Sequence, residues 1–283
     1  MISENNTVVL SSGRKLGYAL YGSRKGTPLF YFHGWPSSRF DGTRVDKVAK
    51  KLNILVIAPD RPGIGISDYK KDRTLLGFPD DIVELADSLG FRKFSVMGVS
   101  GGGPYAAVCA YALPKRVQKA AIVVGLAPPY IKNICEGMAW PNKMSWENYH
   151  RFPILSTLAG YSVFFQTKLG LVDISQLFSF GADRQMRNED AYKALLNKVR
   201  KAVLQQGVKG IIQDLELYAN SWGFDVKRIK IPVYLWYGKD DKNVSLAMGK
   251  YYKKHIPKST ITLYEGGHLG WVKYAREILQ ELL

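Results

Sequence analysis

Apolar positions fall into two alternating rhythms along most of the chain. Short apolar runs at Leu29 to Phe32, Ile54 to Ala58, Phe94 to Met97, Ala120 to Val124, Val233 to Trp236 and Thr260 to Leu263 are too brief for helices and are rich in branched or aromatic residues. They read as buried strands. Most are separated by stretches with a repeat of three to four; between Asp81 and Leu89, for example, Ile82, Leu85, Ala86 and Leu89 mark one face of an amphipathic crossover helix. Upstream, Thr7 to Leu10 and Lys15 to Leu20 flank the Ser11-Ser12-Gly13 turn and predict an opening antiparallel hairpin. Strands alternating with helices imply an α/β fold with a mostly parallel sheet covered on both faces.

The alternation stops between about Pro128 and Phe224. This stretch opens on Pro128-Pro129 and carries Trp140, Trp146, Phe152, Phe164, Phe165, Phe178 and Phe180 before the strand pattern resumes at Ile231. A structureless connection of that length is improbable in a compact domain, so an inserted helical lid over 128–224 is expected, with the core formed by 1–127 and 225–283. The apolar run Phe152 to Phe165 is too short to span a bilayer. It is expected to pack the lid onto the core or to give an apolar wall to a binding site.

The densest chemical signal is Val96-Met97-Gly98-Val99-Ser100-Gly101-Gly102-Gly103-Pro104-Tyr105. A strand ends here and an Ala-rich helix, Tyr105 to Leu113, begins, so Ser100 sits in the sharp turn of a nucleophile elbow. Glycines at 98 and 102 remove side chains that would collide in so tight a turn, and the Gly101 amide points toward any oxyanion formed at Ser100. A serine hydroxyl is a poor nucleophile at neutral pH and needs a histidine base oriented by an acid. Four histidines are available. His255 lies beside the Lys253 and Lys254 face and is expected to be exposed, His150 is in the insertion, and His33 precedes Gly34 at an early turn. His268 follows the last strand in a Gly266-Gly267-His268 loop and is the candidate base. Asp240 and Asp241, after the strand ending at Trp236, are the candidate acids, and one of them could instead cap the next helix. The order serine, acid, histidine suits this architecture.

Charge changes the picture only modestly. The chain has 283 residues and a formal net charge of +16, which raises nucleic acid or anionic lipid as partners. Lys250, Lys253, Lys254 and Lys258 recur at helical spacing opposite Met248, Tyr252 and Ile256, the pattern of a solvated helix face, and no nucleic-acid motif accompanies it. No nucleic-acid partner is expected, and weak contact with an anionic membrane stays open. Cys109 and Cys135 lack metal-ligand spacing and are expected to be reduced packing residues. The polar first residues lack a signal-peptide pattern, so a cytoplasmic protein is expected.

Four segments together resemble the α/β-hydrolase superfamily: Phe32-His33-Gly34-Trp35-Pro36, Asp60-Arg61-Pro62-Gly63-Ile64-Gly65-Ile66-Ser67, the Ser100 elbow, and the Asp241 and His268 loops. The resemblance runs from roughly Val8 to the C-terminus and is loosest in the insertion. It implies an α/β-hydrolase fold with a helical lid. By the same resemblance Asp241, three residues after Gly238 and three before Val244, is preferred over Asp240, the amides of Trp35 and Gly101 form the oxyanion hole, and His33 and Gly34 help bind substrate. The Gly63-x-Gly65 turn lacks the further glycine and helix of a dinucleotide fingerprint. The expected activity is hydrolysis of a small-molecule carboxylic ester through an acyl-enzyme on Ser100, with no metal and no cofactor. A cofactor-free perhydrolase, a hydrolase of carbon–carbon bonds or lactones, and a non-catalytic ligand-binding receptor on the same fold are the alternatives. The sequence leaves the oligomeric state and the substrate open.

Overall fold

The computed structural model describes residues 2–171, 180–181 and 183–283, apart from the side chains of His150, Arg187 and Asn188. Each predicted strand segment is a strand, with its ends shifted by no more than four residues: β1 (Ser3–Val9), β2 (Lys15–Gly22), β3 (Thr27–Phe32), β4 (Ile54–Pro59), β5 (Phe94–Val99), β6 (Val117–Val123), β7 (Val233–Gly238) and β8 (Ser259–Tyr264). Among the described residues they form one sheet in the order β1-β2-β4-β3-β5-β6-β7-β8. β1 and β2 form the antiparallel hairpin, β2 runs antiparallel to β4, and every later pairing is parallel. The active ends of the parallel strands therefore point the same way, the usual place for a site in an open α/β sheet.

Period-two alternation sends neighbouring residues of each strand to opposite faces. Phe30, Phe32, Val96, Ile122 and Leu235 face α2 (Phe78–Ser88), α3 (Gly103–Ala112) and α9 (Leu246–His255) in one core. Leu29, Tyr31, Met97, Val99, Ala121, Val123 and Trp236 face α1 (Asp46–Lys51) and α10 (Ala275–Glu281) in the other. On α9, Met248 and Tyr252 are buried while Lys250, Lys253 and Lys254 are exposed, and Ser245, not either aspartate, caps its N-terminus by accepting from the Met248 amide. Cys109 and Cys135 are free and buried; burial pushes the Cys135 thiol up to about 12, consistent with an inert packing role.

Between β6 and β7 the chain carries α4 (Trp140–Arg151), α5 (Pro153–Lys168), α6 (Asp183–Asn188), α7 (Asp190–Val203) and α8 (Lys209–Ala219). Tyr149, Phe164, Val199, Val203, Ile211, Ile212 and Leu215 form a separate cluster that closes on Phe40 and Ile64 of the main body. The ends of the insertion belong elsewhere: Ile134, Cys135, Met138, Tyr218 and Trp222 join the α2/α3 core. None of the helices in the described residues is long and apolar enough to cross a membrane. On α5, Phe164 is buried, whereas Ile154, Leu155, Leu158 and Phe165, with Phe152 just before the helix, are more than half exposed. The expected apolar wall from the Phe152 to Phe165 run thus reduces to Phe164, because a helix turns most of such a run away from any one surface. Phe178 lies outside the described residues.

Candidate active site

Ser100 follows β5 with φ +54°, a left-handed backbone that a non-glycine residue adopts only where its surroundings enforce it. The flanking glycines supply that enforcement. A Cβ at Gly98 would lie 2.1 Å from the Gly102 carbonyl oxygen, as the sequence implies, but a Cβ at Gly102 would meet the Phe32 carbonyl at 2.1 Å instead. The second glycine is required by the end of β3 rather than by its partner in the turn.

Across from Ser100 lies the turn after β3. A Cβ on Gly34 would stand 3.5 Å from the Ser100 Cβ, and one on Gly101 would stand 3.1 Å from the Trp35 amide nitrogen. The Trp35 and Gly101 backbones are thus brought together beside the serine. The loops after β7 and β8 supply the other groups. His268 Nδ1 and Asp241 Oδ2 are 2.7 Å apart, and Asp241 Oδ1 accepts from the amides of Asn243 at 2.7 Å and Val244 at 3.0 Å. An ionised carboxylate facing Nδ1 fixes the proton there and leaves Nε2 to act on a hydroxyl. Asp241 is buried, whereas the neighbouring Asp240 is exposed, so the two adjacent carboxylates are separated by their surroundings.

Ser100 and His268 line the same cavity of about 710 Å³, with Gly34, Trp35, Val99, Leu126 and Val244 around them. That strand-end serine, sharing a cavity with a histidine paired with an acid, sits in a chain whose residues 27–271 match the family described as alpha/beta hydrolase fold. The chain belongs to that family. Among curated relatives it is 26% identical to a non-heme chloroperoxidase of Streptomyces lividans, over 96% of each chain. It is 25% identical to a pimeloyl-[acyl-carrier protein] methyl ester esterase of Nitrosomonas europaea, over 90% of this chain and 93% of the other. A solved hydrolase from Pseudomonas aeruginosa PA01 superposes with a TM-score of 0.73 at 17% identity, over 99% of this chain and 98% of that one.

In this member of the alpha/beta hydrolase fold family, the remaining expected residues fall unevenly. Gly34 is on the cavity wall, but the His33 ring is fully buried behind it. Burial, then the nearby Arg61 charge, hold His33 well below the usual histidine range; the neutral ring has Nδ1 2.9 Å from the Gly34 carbonyl. Its contacts are those of a support for the turn, not of a substrate ligand. His255 is half-buried, its Nδ1 bonded to the Tyr251 carbonyl, rather than exposed. The His150 side chain lies outside the described residues.

Two groups that the sequence did not single out are central. Arg61 is fully buried and its Nη1 and Nη2 donate to the carbonyls of His33 at 2.6 Å and Gly34 at 2.9 Å. Its Nε donates to Asp214 of α8 at 2.8 Å, and Asp214 also accepts from Arg73 at 2.5 Å and from the Tyr105 hydroxyl at 2.8 Å. This buried cluster joins the Trp35 turn, the start of α3 and the insertion. Asp60 beside it is held by Arg39, and Gly65, at φ +58°, leaves room for its carboxylate: a Cβ there would lie 2.0 Å from Asp60 Oδ2. That is the physical role of Gly65 in this turn.

The second group is Asp183 on α6. It is buried and accepts from the amides of His268 and Leu269, both at 2.8 Å. Burial is the main cause that raises its pKa, the two backbone amides and the His268 charge oppose it, and the Asp241 charge adds to it. A residue of the insertion therefore grips the loop that carries the histidine. Only a contact across 85 positions could reveal this, and local sequence patterns carry no such signal.

Proposed function

We propose that the protein is a serine hydrolase of carboxylic esters, with the insertion as its lid. Ser100 Oγ attacks the ester carbonyl while His268 Nε2 takes its proton; the new C–O bond forms as the carbonyl pair moves to oxygen. The amides of Trp35 and Gly101 donate to that oxyanion. Collapse of the tetrahedral intermediate breaks the bond to the alcohol, which leaves with the proton from His268. Water then attacks the acyl-enzyme, gives a proton to His268, and releases the acid with Ser100 restored. Asp241 keeps Nδ1 protonated and stabilises the imidazolium in both steps. None of these steps calls on a metal or cofactor.

The observation that carries the reading is the strained Ser100 backbone on the same cavity as a histidine hydrogen-bonded to a buried aspartate. The experiment is steady-state and rapid-mixing hydrolysis of p-nitrophenyl acetate and butyrate. An initial burst of p-nitrophenol equal to the enzyme concentration, absent in Ser100→Ala, supports an acyl-enzyme; turnover undiminished in a folded Ser100→Ala protein rejects it.

A second reading has one observation in its favour, the full-length likeness to a relative named a non-heme chloroperoxidase. Hydrogen peroxide in place of water would attack the same acyl-enzyme and release a peracid. Adding peroxide to the acetate or acetyl-ester reaction and measuring peracid against acid separates the two: perhydrolysis predicts that peracid dominates at millimolar peroxide.

A further inference from the structure

The cavity beside Ser100 has a lining of mixed chemistry. Trp35, Trp146, Phe164, Val203, Leu204 and Leu269 are among its apolar members. With them, Arg44, Arg184, Lys193 and Arg200 are four cationic lining residues against, among the described residues, a single acidic one, Asp41. Asp41 is already committed: it accepts from the Tyr31 hydroxyl at 3.0 Å and from Arg44 Nε at 2.5 Å. Lys193, Asn197 and Arg200 stand at i, i+4 and i+7 on α7 and thus share one helix face, toward the cavity. Lys193 has only a 3.8 Å approach to the fully exposed Asp190, and among the described residues neither Arg184 nor Arg200 has a side-chain hydrogen-bond or ion-pair partner. Like charges gathered along a cleft repel one another, and their field is focused by low-dielectric walls. An anion bound between them removes that repulsion, and guanidinium groups match the paired oxygens of a carboxylate or phosphate.

We infer that the cavity selects an ester whose far end carries an anionic oxyacid group, a carboxylate or a phosphate, held by Arg184, Lys193 and Arg200 while the ester carbonyl sits at Ser100. This rests on the serine-hydrolase reading and narrows its substrate class. It also adds a polar end to the apolar wall: the methylenes lie against the apolar lining residues, and the chain ends at a charge. Length selectivity then takes the form of an optimum rather than a plateau, because only one spacing brings both ends to their partners.

The test compares kcat/KM for monomethyl esters of the dicarboxylic acids from succinic to suberic, for methyl alkanoates of equal length, and for methyl esters carrying a terminal phosphate. The expected result is a preference for an anionic ester over its neutral counterpart of at least about tenfold, or about 1.4 kcal/mol, sharpest at one length. Whether the carboxylate or the phosphate arm wins identifies the oxyacid. The preference shrinks as ionic strength rises, since the cationic side chains are solvent-accessible, and collapses in Arg184→Gln/Arg200→Gln. Equal or better turnover of the neutral esters, or a preference that survives in the double variant, overturns the inference. Titration of the same half-esters into Ser100→Ala reads the anion site without chemistry: binding there that is lost when Arg184 and Arg200 are also replaced supports the site even if no ester is cleaved. In that case it is the serine mechanism that fails. Absence of any anion-dependent binding overturns the inference whether or not esters are cleaved.

Discussion

Asp214→Asn tests whether the buried arginine cluster holds the turn across from Ser100. Asp214 is fully buried and accepts from Arg61 Nε, Arg73 Nη2 and the Tyr105 hydroxyl; the two arginines are 1% and 6% exposed. Asparagine keeps an acceptor for Arg73 and Tyr105 on one atom but turns an NH₂ toward Arg61 Nε and removes the only carboxylate paired with either arginine among the described residues. Breaking a buried ion pair from one side costs about 3–5 kcal/mol. With about 2–4 °C per kcal/mol in a chain of this size, Tm falls by about 6–20 °C. Because Arg61 also holds the His33 and Gly34 carbonyls, the Trp35 amide loses its fixed position, and kcat falls by about tenfold to a hundredfold. Thermal and urea unfolding with p-nitrophenyl butyrate kinetics measure both. A double-mutant cycle with Arg73→Gln should give a coupling above about 1 kcal/mol. Asp190→Asn, at a fully exposed aspartate, stays within about 0.5 kcal/mol of wild type. An Asp214→Asn protein as stable as the Asp190→Asn control would refute the assignment of the cluster as a structural clamp.

Asp241→Asn is expected to lower kcat by about four orders of magnitude by presenting the wrong group to Nδ1, with Asp240→Asn close to wild type; the reverse ranking would reassign the acid. In Gly101→Ala the new methyl would lie 2.6 Å from the Trp35 Cβ, so the paired amides separate and kcat drops by about a hundredfold or more while KM changes little; an unchanged kcat rejects the oxyanion role. Asp183→Asn removes a carboxylate near His268 that favours the imidazolium, so the acid limb of the pH profile of kcat/KM moves to lower pH; a limb that stays put shows that Asp183 does not act on the histidine. The same substitution has a signature in stability. A carboxyl whose folded pKa is raised binds more protons folded than unfolded, so its contribution is fully present below the ordinary carboxylate pKa and is lost as pH rises through the raised value. The stability of wild type relative to Asp183→Asn should therefore fall with rising pH across the acid range, and a difference that is flat or rises contradicts the raised pKa.

The strands, their direction and the crossover helices were legible because their signal is local: period two in the sheet, a repeat of three to four in α2 and α9, and a glycine-bounded serine between β5 and α3. Loop position and chain order pointed to His268 and to the Asp240–Asp241 pair, the family resemblance preferred Asp241, and the structure brings Asp241 and His268 into contact. What stayed hidden depends on long-range encounters. Arg61 reads as part of a loop motif until Asp214, 153 residues away, is placed beside it. His33 reads as a potential ligand until burial removes it from the cavity wall. In the insertion, the length of the stretch pointed to helices, but its aromatics carried no information about direction. Phe164 and Phe165 are adjacent, yet one is buried against the cavity and the other is 60% exposed. The cationic face of α7 was missed for a related reason: Lys193 and Arg200 look like ordinary solvated residues until the cavity they line is known.

The most direct test of the account is to locate the covalent adduct formed with a fluorophosphonate or with a slowly deacylating ester. Intact-protein mass spectrometry should show one adduct per chain, peptide mapping should place it on Ser100, and Ser100→Ala, with an unchanged melting profile, should acquire none. An adduct on another residue, or full ester turnover by an enzyme whose Ser100 stays unmodified by every probe, would contradict the account.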